Sequence, residues 1–97
     1  MRIWDKGLID EFTKKHADAA SAFQHWINIV EEVEWKSHAD LKLDFPSADY
    51  VGKNRYVFNI RGNTYRIVAV VVFIAGILKI RFIGTHAEYN KIDCRTF

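Results

Sequence analysis

Residues 55–89 read RYVFNIRGNTYRIVAVVVFIAGILKIRFIGTHAEY, and this stretch decides the fold. Gly-Asn at residues 62–63 is a strong signal for a two-residue hairpin, and Ala-Gly at residues 75–76 is a weaker turn signal. The two turns divide the stretch into three strands, each antiparallel to the one before it. The stretch then ends in Thr-His-Ala-Glu-Tyr at residues 85–89.

The two turns also predict the register of the strands. Around the first turn, Asn59 pairs with Arg66. Around the second turn, Arg66 pairs with Thr85 and Val70 pairs with Arg81. The second pairing assumes a two-residue loop, whereas a four-residue loop would shift the third strand by two residues and keep its faces.

Alternation of side chains along the strands then separates apolar from basic residues. One predicted face is apolar and suits packing against helices: Tyr56, Phe58, Ile60, Tyr65, Ile67, Ala69, Val71, Phe73, Leu78, Ile80 and Phe82. The other predicted face carries the basic and polar side chains together with four valines: Arg55, Asn59, Arg61, Arg66, Lys79, Arg81, Val57, Val68, Val70 and Val72.

Length and composition indicate one globular domain over residues 1–97, because 49% of the residues are hydrophobic. The apolar run at residues 67–78 is too short for a membrane span, which needs about 20 residues. No signal-peptide pattern opens the sequence, and the single cysteine, Cys94, has no partner for an internal disulfide. We therefore expect a cytoplasmic protein that does not associate with membranes.

The formal charge of +2 is unevenly distributed along the chain. Residues 1–48 hold six Lys or Arg and nine Asp or Glu, a net charge of −3. Residues 49–97 hold eight Lys or Arg and three Asp or Glu, a net charge of +5. A positive strand half favours a polyanionic partner such as nucleic acid.

The first half of the chain reads mainly as helices. Residues 1–4 predict a short edge strand, Asp5 is expected to cap a first helix, and Asp18 is expected to cap a second helix with a broad apolar stripe. Residues 36–54 are predicted to be an irregular linker. The expected fold class is α+β, with two N-terminal helices packed on one face of an antiparallel sheet and a C-terminal three-stranded meander whose basic face stays open.

The basic face suits cleavage of RNA without a metal. A two-metal nuclease needs clustered carboxylates, and the strand half offers only Asp49, Glu88 and Asp93, which lie far apart in sequence. RNA carries its own nucleophile, the 2′-hydroxyl, so the protein need only align the attack, transfer protons and neutralise charge on the phosphoryl oxygens. Arginine, histidine and tyrosine suit these tasks. We expect neither a metal nor a cofactor.

Two runs, FNIRGNTYRI at residues 58–67 and IRFIGTHAEYNKID at residues 80–93, closely resemble the HigB family of toxins from bacterial type II toxin–antitoxin pairs. The N-terminal half is also similar to that family, so the resemblance covers essentially the whole chain. HigB toxins are similar in fold to the RelE group of ribosome-dependent messenger-RNA endonucleases. The resemblance implies cleavage of translated mRNA on the ribosome, which leaves a 2′,3′-cyclic phosphate and a 5′-hydroxyl.

The resemblance also implies a protein partner and assigns residues. The partner would be a HigA-type helix-turn-helix antitoxin, with which the chain would form a hetero-oligomer. The family often has Asp after the final tyrosine, whereas this chain has Asn90, so a proton-transfer role for that carboxylate would pass to Glu88 or Asp93. The family motif falls on these positions: Asn59, Asn63, Arg66, His86 and Tyr89. The match at Asn63 is attributed to turn geometry.

The residue patterns and the resemblance together give a hypothesis for the site. Two arginines would stabilise the transition state, the histidine would act as general acid or base, and the tyrosine would position or protonate the substrate. The expected catalytic residues are Arg66, Arg81, His86 and Tyr89. The residues expected to bind RNA are Lys53, Arg55, Asn59, Arg61 and Lys79.

Three alternatives to an RNA-cleaving toxin stay open at this point. The first is a catalytically inactive RNA- or ribosome-binding module of the same fold. The second is a protein-interaction domain whose basic face docks an acidic partner. The third is a metal-dependent nuclease.

Overall fold

Five strands form one mixed sheet in the computed structural model, which describes residues 1–92. The strands are β1 (Arg2–Trp4), β2 (Asp49–Gly52), β3 (Arg55–Ile60), β4 (Tyr65–Val72) and β5 (Ile77–Thr85), in the order β1-β5-β4-β3-β2. Strands β2 to β5 form an antiparallel meander, and β1 runs parallel to β5. The predicted edge strand is confirmed, and the meander has four strands instead of three. Asp93 and Cys94 lie outside the described residues.

The helices are α1 (Gly7–Lys15), α2 (Ala20–Glu32), α3 (His38–Asp44) and α4 (His86–Tyr89), with a 3₁₀ helix at Ala17–Ala19. The two predicted N-terminal helices are confirmed. The predicted linker at residues 36–54 was wrong, because it contains α3 and β2. Ser37 caps α3 by accepting a hydrogen bond from the Asp40 amide at 3.3 Å. None of the helices in residues 1–92 has the length and apolar character needed to cross a bilayer.

The predicted caps of α1 and α2 were wrong. The N-cap residues are Lys6 and Ala19, and neither makes a capping hydrogen bond through its side chain. Asp18 instead lies within the 3₁₀ helix, where its carboxylate accepts hydrogen bonds from Arg61 Nη1 and, at 2.8 Å, from Tyr65 Oη. The bond to this carboxylate raises the pKa of Tyr65 above its ordinary value. Asp18 thus joins the helical layer to the β3–β4 hairpin.

One core lies between the helices and the apolar sheet face. Helical side chains from α1, α2 and α3 share it with alternate residues of β3, β4 and β5. The alternation along β3 and β4 is as predicted, whereas the contribution of α3 was not predicted. Its sheet members include Tyr56, Phe58, Ile60, Tyr65, Ile67, Ala69, Val71, Leu78 and Ile80. The Phe58 ring, 1% exposed, has its centroid 5.4 Å from that of Trp26 and 5.2 Å from that of Phe45. These edge-to-face contacts place an aromatic cluster at the centre of the core.

The register of the first hairpin is confirmed, since Asn59 pairs with Arg66. Strand pairing ends at Ile60 and Tyr65, however, and residues 61–64 form the loop. Arg61 has a φ of 54° there, in the left-handed region, and its guanidinium binds Asp18. The placement of Arg61 on the basic face was therefore wrong, because the loop conformation and the ion pair direct its side chain to the helical layer.

The two-residue loop predicted for the second hairpin was wrong, and the four-residue alternative is confirmed by pairing of Val72 with Ile77. A β-bulge then follows, because Ala69 pairs with Ile80 while the preceding residue, Val68, pairs with Phe82. Arg81 is the extra residue of this bulge. Beyond it the pairing differs from the prediction by one residue, so Arg66 pairs with Gly84 and not with Thr85.

The bulge also exchanges the faces of the last part of β5. Phe82 lies on the same face as Val68, opposite the helices, and not on the apolar core face as predicted. Its ring occupies the space over Gly84, where a Cβ would lie 2.5 Å from Phe82 Cζ. Only a residue without a side chain fits at position 84 unless the ring moves.

Removing the Phe58 ring tests the aromatic core. Phe58→Ala should lower the free energy of unfolding by about 3–5 kcal/mol, because the cavity left among Trp26, Trp35 and Phe45 cannot fully collapse. Chemical denaturation followed by circular dichroism would measure it. Ile74→Ala, at a residue that is 99% exposed, should change stability by less than about 0.5 kcal/mol. Equal effects of the two substitutions would contradict the proposed core.

Candidate active site

The sheet face opposite the helices is basic at its ends and apolar at its centre. Strand pairing places five charged residues on it, four cations and one carboxylate: Arg2, Arg55, Arg66, Lys79 and Asp49. Between them, Val57 is 2% exposed and Val68 is fully buried. The prediction of a fully open face was therefore wrong at the centre of the sheet.

Arg66 is the centre of the candidate site. Its side chain is only 8% exposed, which is rare for arginine unless it has partners. Its Nη1 donates to the carbonyl oxygens of Asn63 at 2.9 Å and Tyr65 at 3.4 Å, and its Nη2 donates to His86 Nδ1 at 2.8 Å. Its Cζ lies 5.8 Å from the centroid of the Tyr89 ring, within cation–π range. The structure thus brings Arg66, His86 and Tyr89 together.

The contact with Arg66 determines the state of the His86 ring. A guanidinium has no acceptor and stays protonated, so Nδ1 of His86 must accept the hydrogen bond. The proton of the neutral ring is then on Nε2. The His86 amide also donates to the Thr64 carbonyl at 3.0 Å, which links the histidine to the loop of the first hairpin. Side chain and main chain together hold His86 at this end of the sheet.

A capping box determines where α4 begins. Thr85 Oγ1 accepts from the Glu88 amide at 3.2 Å, and Glu88 Oε1 accepts from the Thr85 amide at 2.8 Å. The hydrogen bond from the Thr85 amide holds the pKa of Glu88 below its ordinary value. A lowered pKa is the opposite of what a proton donor near neutral pH requires. Glu88 therefore serves as a helix cap, which argues against the proton-transfer role considered for it.

Three of the five residues expected to bind RNA lie on the sheet face opposite the helices, and the other two, Lys53 and Arg61, lie in turns. Arg55 and Lys79 both flank Val70 in one cross-strand row of the face opposite the helices. Asn59 lies beside Arg66 on this face, and its Nδ2 donates to the Ser47 carbonyl at 3.2 Å.

The remaining predicted site residues lie elsewhere. Lys53 is in the β2–β3 turn with a φ of 52°, and its carbonyl accepts from Arg55 Nη1 at 3.2 Å. Arg81 is exposed and lines a cavity of about 570 Å³ against α1, with Phe12 and Lys15 among the other lining residues. The structure does not bring Arg81 into the cluster around Arg66. Within residues 1–92, no three His, Cys, Asp or Glu side chains are grouped as metal ligands would be.

Two features of the site were not predicted from the sequence. The Asn63 carbonyl binds Arg66, although the match at Asn63 suggested turn geometry alone. The left-handed residues of that loop are Arg61 and Gly62, and not Asn63. Trp4 is the second feature: it pairs with Lys79 and lies on the face opposite the helices. The position of the apolar Ile3 between Arg2 and Trp4 could have indicated that Trp4 points away from the core.

The capping box predicts a pH dependence of α4. Because the folded-state pKa of Glu88 is lowered, its contribution to stability is present above its ordinary value of 4.5 and is lost as the pH falls through the folded-state value. The protection factors of the backbone amides in α4, which allow for the slower intrinsic exchange in acid, should therefore fall below pH 4.5 in the native chain. Glu88→Gln should remove most of this pH dependence, and Glu32→Gln, at the end of α2, should leave it unchanged. A pH-independent α4 in the native chain would contradict the role of the cap.

Comparison with known proteins identifies the family. Residues 19–92 match the family model HigB_toxin, described as the RelE-like toxic component of a toxin–antitoxin system. The chain is 27% identical over 94 residues to an mRNA interferase HigB of Escherichia coli O6:H1 (strain CFT073). That alignment covers 95% of this chain and 91% of the relative. The chain is 41% identical over 66 residues to the mRNA interferase toxin HigB of Escherichia coli K12, which covers 65% of this chain and 62% of that protein.

The match extends from the 3₁₀ helix through α4, so it includes Arg66, His86 and Tyr89. The α+β architecture, with helices and a five-stranded mixed sheet, fits the RelE-like description. The resemblance inferred from the sequence is thereby confirmed. The chain belongs to the HigB family, the RelE-like toxic components of toxin–antitoxin systems.

Proposed function

We propose that this chain is the toxin of a type II toxin–antitoxin pair and acts as an mRNA interferase, a metal-independent endoribonuclease that cuts mRNA on the translating ribosome. The cluster of Arg66, His86 and Tyr89 is the observation that carries this proposal. It holds a nearly buried guanidinium 2.8 Å from an imidazole and 5.8 Å from a phenol ring. The names of the two relatives support the same activity.

The proposed reaction uses groups of the RNA, the protein and solvent water. The 2′-oxygen attacks the adjacent phosphorus and loses its proton, the bond from phosphorus to the 5′-oxygen breaks, and the 5′-oxygen gains a proton. The products are a 2′,3′-cyclic phosphate and a 5′-hydroxyl. The protein must stabilise negative charge on the phosphoryl oxygens and supply the proton for the leaving oxygen.

Arg66 stabilises the charge on the phosphate. Its planar guanidinium can donate to two phosphoryl oxygens at once and stays protonated throughout. The carbonyls of Asn63 and Tyr65 hold its Nη1, so the side chain is oriented before the substrate arrives. The scissile phosphate takes the place of His86 as the acceptor for Nη2. Preorganised donors of this kind are usually the largest contribution to such catalysis.

His86 protonates the leaving oxygen. In the contact with Arg66, its Nδ1 is an acceptor, so this nitrogen carries no proton. When the phosphate replaces His86 as the acceptor for Arg66 Nη2, Nδ1 accepts a proton from solvent, and the ring donates its Nε2 proton to the leaving oxygen. Tyr89 accepts a hydrogen bond from the 2′-hydroxyl and positions it, and the 2′-proton leaves to water.

Lys79 and Arg55 bind RNA phosphates away from the cut, since they share the face of Arg66. Asn59 orders the site by holding the Ser47 carbonyl and lying beside Arg66. Arg61, Arg81 and Lys53 contribute weaker, longer-range attraction of RNA. The stacking environment and the ribosome provide any codon preference.

The family description, the toxic component of a toxin–antitoxin system, supports a protein partner. A HigA-type helix-turn-helix antitoxin neutralises the chain by forming a complex with it, and the substrate is mRNA held in the ribosomal decoding site. An activity on mRNA in translating ribosomes would take place in the cytoplasm.

Replacing Arg66 by Lys tests the proposed activity. The charge remains but the fork that binds two oxygens is lost, so cleavage should fall by about 10²- to 10³-fold. Sequencing of mRNA 5′ ends after a brief pulse of expression would measure it in cells. Arg61→Lys is the matched control and should cleave normally, because that guanidinium binds Asp18.

The same experiment separates the enzyme from an inactive module of the same fold. An enzyme produces new 5′-hydroxyl ends that disappear with Arg66→Lys, while ribosome binding persists in a sedimentation assay. Ribosome binding by the native chain without any new 5′ ends would instead support a binding module. Cleavage that persists with Arg66→Lys would overturn the assignment of the active site.

A sulfur leaving group tests the role of His86. His86→Ala should slow cleavage of ordinary mRNA by about 10²- to 10⁴-fold. An mRNA with sulfur in place of the bridging 5′-oxygen at the cleavage site has a leaving group that needs no proton. On this substrate His86→Ala should approach the native rate, as measured on programmed ribosomes.

Arg66→Ala provides the control for the sulfur experiment, because charge on the phosphoryl oxygens still has to be stabilised. Its defect should persist with sulfur. An equal defect of His86→Ala on both substrates would show that His86 does not protonate the leaving group.

A further inference from the structure

We propose that Trp4 forms a base-stacking subsite for single-stranded RNA at a distance from the cut. The inference rests on the proposed function and extends it to a residue outside the cluster of Arg66, His86 and Tyr89. Trp4 lies before residue 19, where the family match begins, and outside the two sequence motifs that carry the resemblance.

The direction of the Trp4 side chain follows from β1. Ile3 is 8% exposed and belongs to the core, so its neighbours Arg2 and Trp4 point to the face opposite the helices. Trp4 is 45% exposed, whereas Trp26 and Trp35 are 2% and 3% exposed. A large indole that stays this accessible on a charged face has apolar area to cover when a ligand binds.

The neighbours of Trp4 determine the kind of ligand. One row of paired residues crosses four strands of this face and contains an indole and two cations. In order, its members are Trp4, Lys79, Val70 and Arg55. Arg2 adds a third cation two positions away on the same strand. A positive surface with an accessible aromatic ring is the arrangement that binds single-stranded nucleic acid, because phosphates meet the cations while a base stacks on the ring.

The position of Trp4 relative to Arg66 fits an RNA strand that crosses the sheet. Val70 is four residues from Arg66 on β4, and Trp4 is two strands from Val70. With a rise of about 3.3 Å per residue and about 4.8 Å between strands, the two Cα atoms are about 16 Å apart. Trp4 therefore stacks on a base other than those that flank the cut, and Lys79 binds a phosphate between them.

Intrinsic fluorescence tests this subsite directly, since Trp4 is the accessible tryptophan of the three in the chain. The probe is a single-stranded RNA decamer with 2′-O-methyl groups throughout, which binds but cannot be cut through the 2′-oxygen. We expect saturable quenching at low salt that weakens as salt increases. Trp4→Phe should lose the quenching but keep most of the affinity, as measured by anisotropy of labelled RNA.

Removing the ring should weaken binding. Trp4→Ala should bind the decamer about 5- to 150-fold more weakly, the range expected for loss of one base–aromatic stack. Tyr50→Ala is the matched control, because Tyr50 is an exposed aromatic, at 52%, that pairs with Tyr56 on the core-side face. It should bind the RNA normally.

Probes without bases distinguish stacking from charge. Inorganic polyphosphate and polyglutamate carry the charge of RNA or of an acidic peptide, and neither should quench Trp4. The inference is overturned if the decamer fails to quench, if polyphosphate or polyglutamate quenches equally, or if Trp4→Ala binds the decamer as tightly as the native chain. Cleavage of mRNA is measured separately, so quenching without cleavage would overturn the proposed activity and leave the subsite intact.

Discussion

The hydrogen bond from Arg66 Nη2 to His86 Nδ1 is the interaction on which the candidate site depends. It joins the middle strand of the sheet to the short helix that follows β5, and it gives the imidazole one defined tautomer. The guanidinium is oriented by carbonyls from the hairpin loop, and the histidine amide bonds to the same loop. The loop between β3 and β4 therefore organises the site although it supplies none of its reactive groups.

The bulge at Arg81 is the feature of the sheet that makes this arrangement possible. A regular ladder with the predicted register would place Thr85 beside Arg66, with Phe82 facing the core. The four-residue loop displaces β5 by two residues from that register, and the extra residue reduces the displacement to one, so Gly84 lies beside Arg66 and the Phe82 ring covers it. Because Arg81 is the extra residue of the bulge, it lies near α1 and apart from Arg66, although it belongs to the same sequence motif as His86.

Side-chain alternation predicted most of the sheet because one of its faces is buried, and a one-residue slip in β3 or β4 would expose the core. It failed in β5, since a bulge leaves no clear signal in a run where Phe82 and Ile83 suit either face. The residues that meet in the candidate site were nonetheless predicted, because Arg66 lies beside the first turn and His86 directly follows β5. Asp18 was assigned to a helix cap because local propensity cannot anticipate a partner such as Arg61, 43 positions away in sequence.

The surface opposite the helices is formed by two parts, the antiparallel meander and the edge strand β1, which pairs in parallel with β5. Arg66, His86 and Tyr89 all come from residues 66–89, and their geometry is determined by the hairpins within the meander. Trp4 belongs to an edge strand that contacts this unit on one side only. Trp4 points away from the core, so its replacement need not disturb the pairing of β3, β4 and β5. Related proteins can therefore carry a different side chain at this position, and so differ in what this surface binds, without any change in the core.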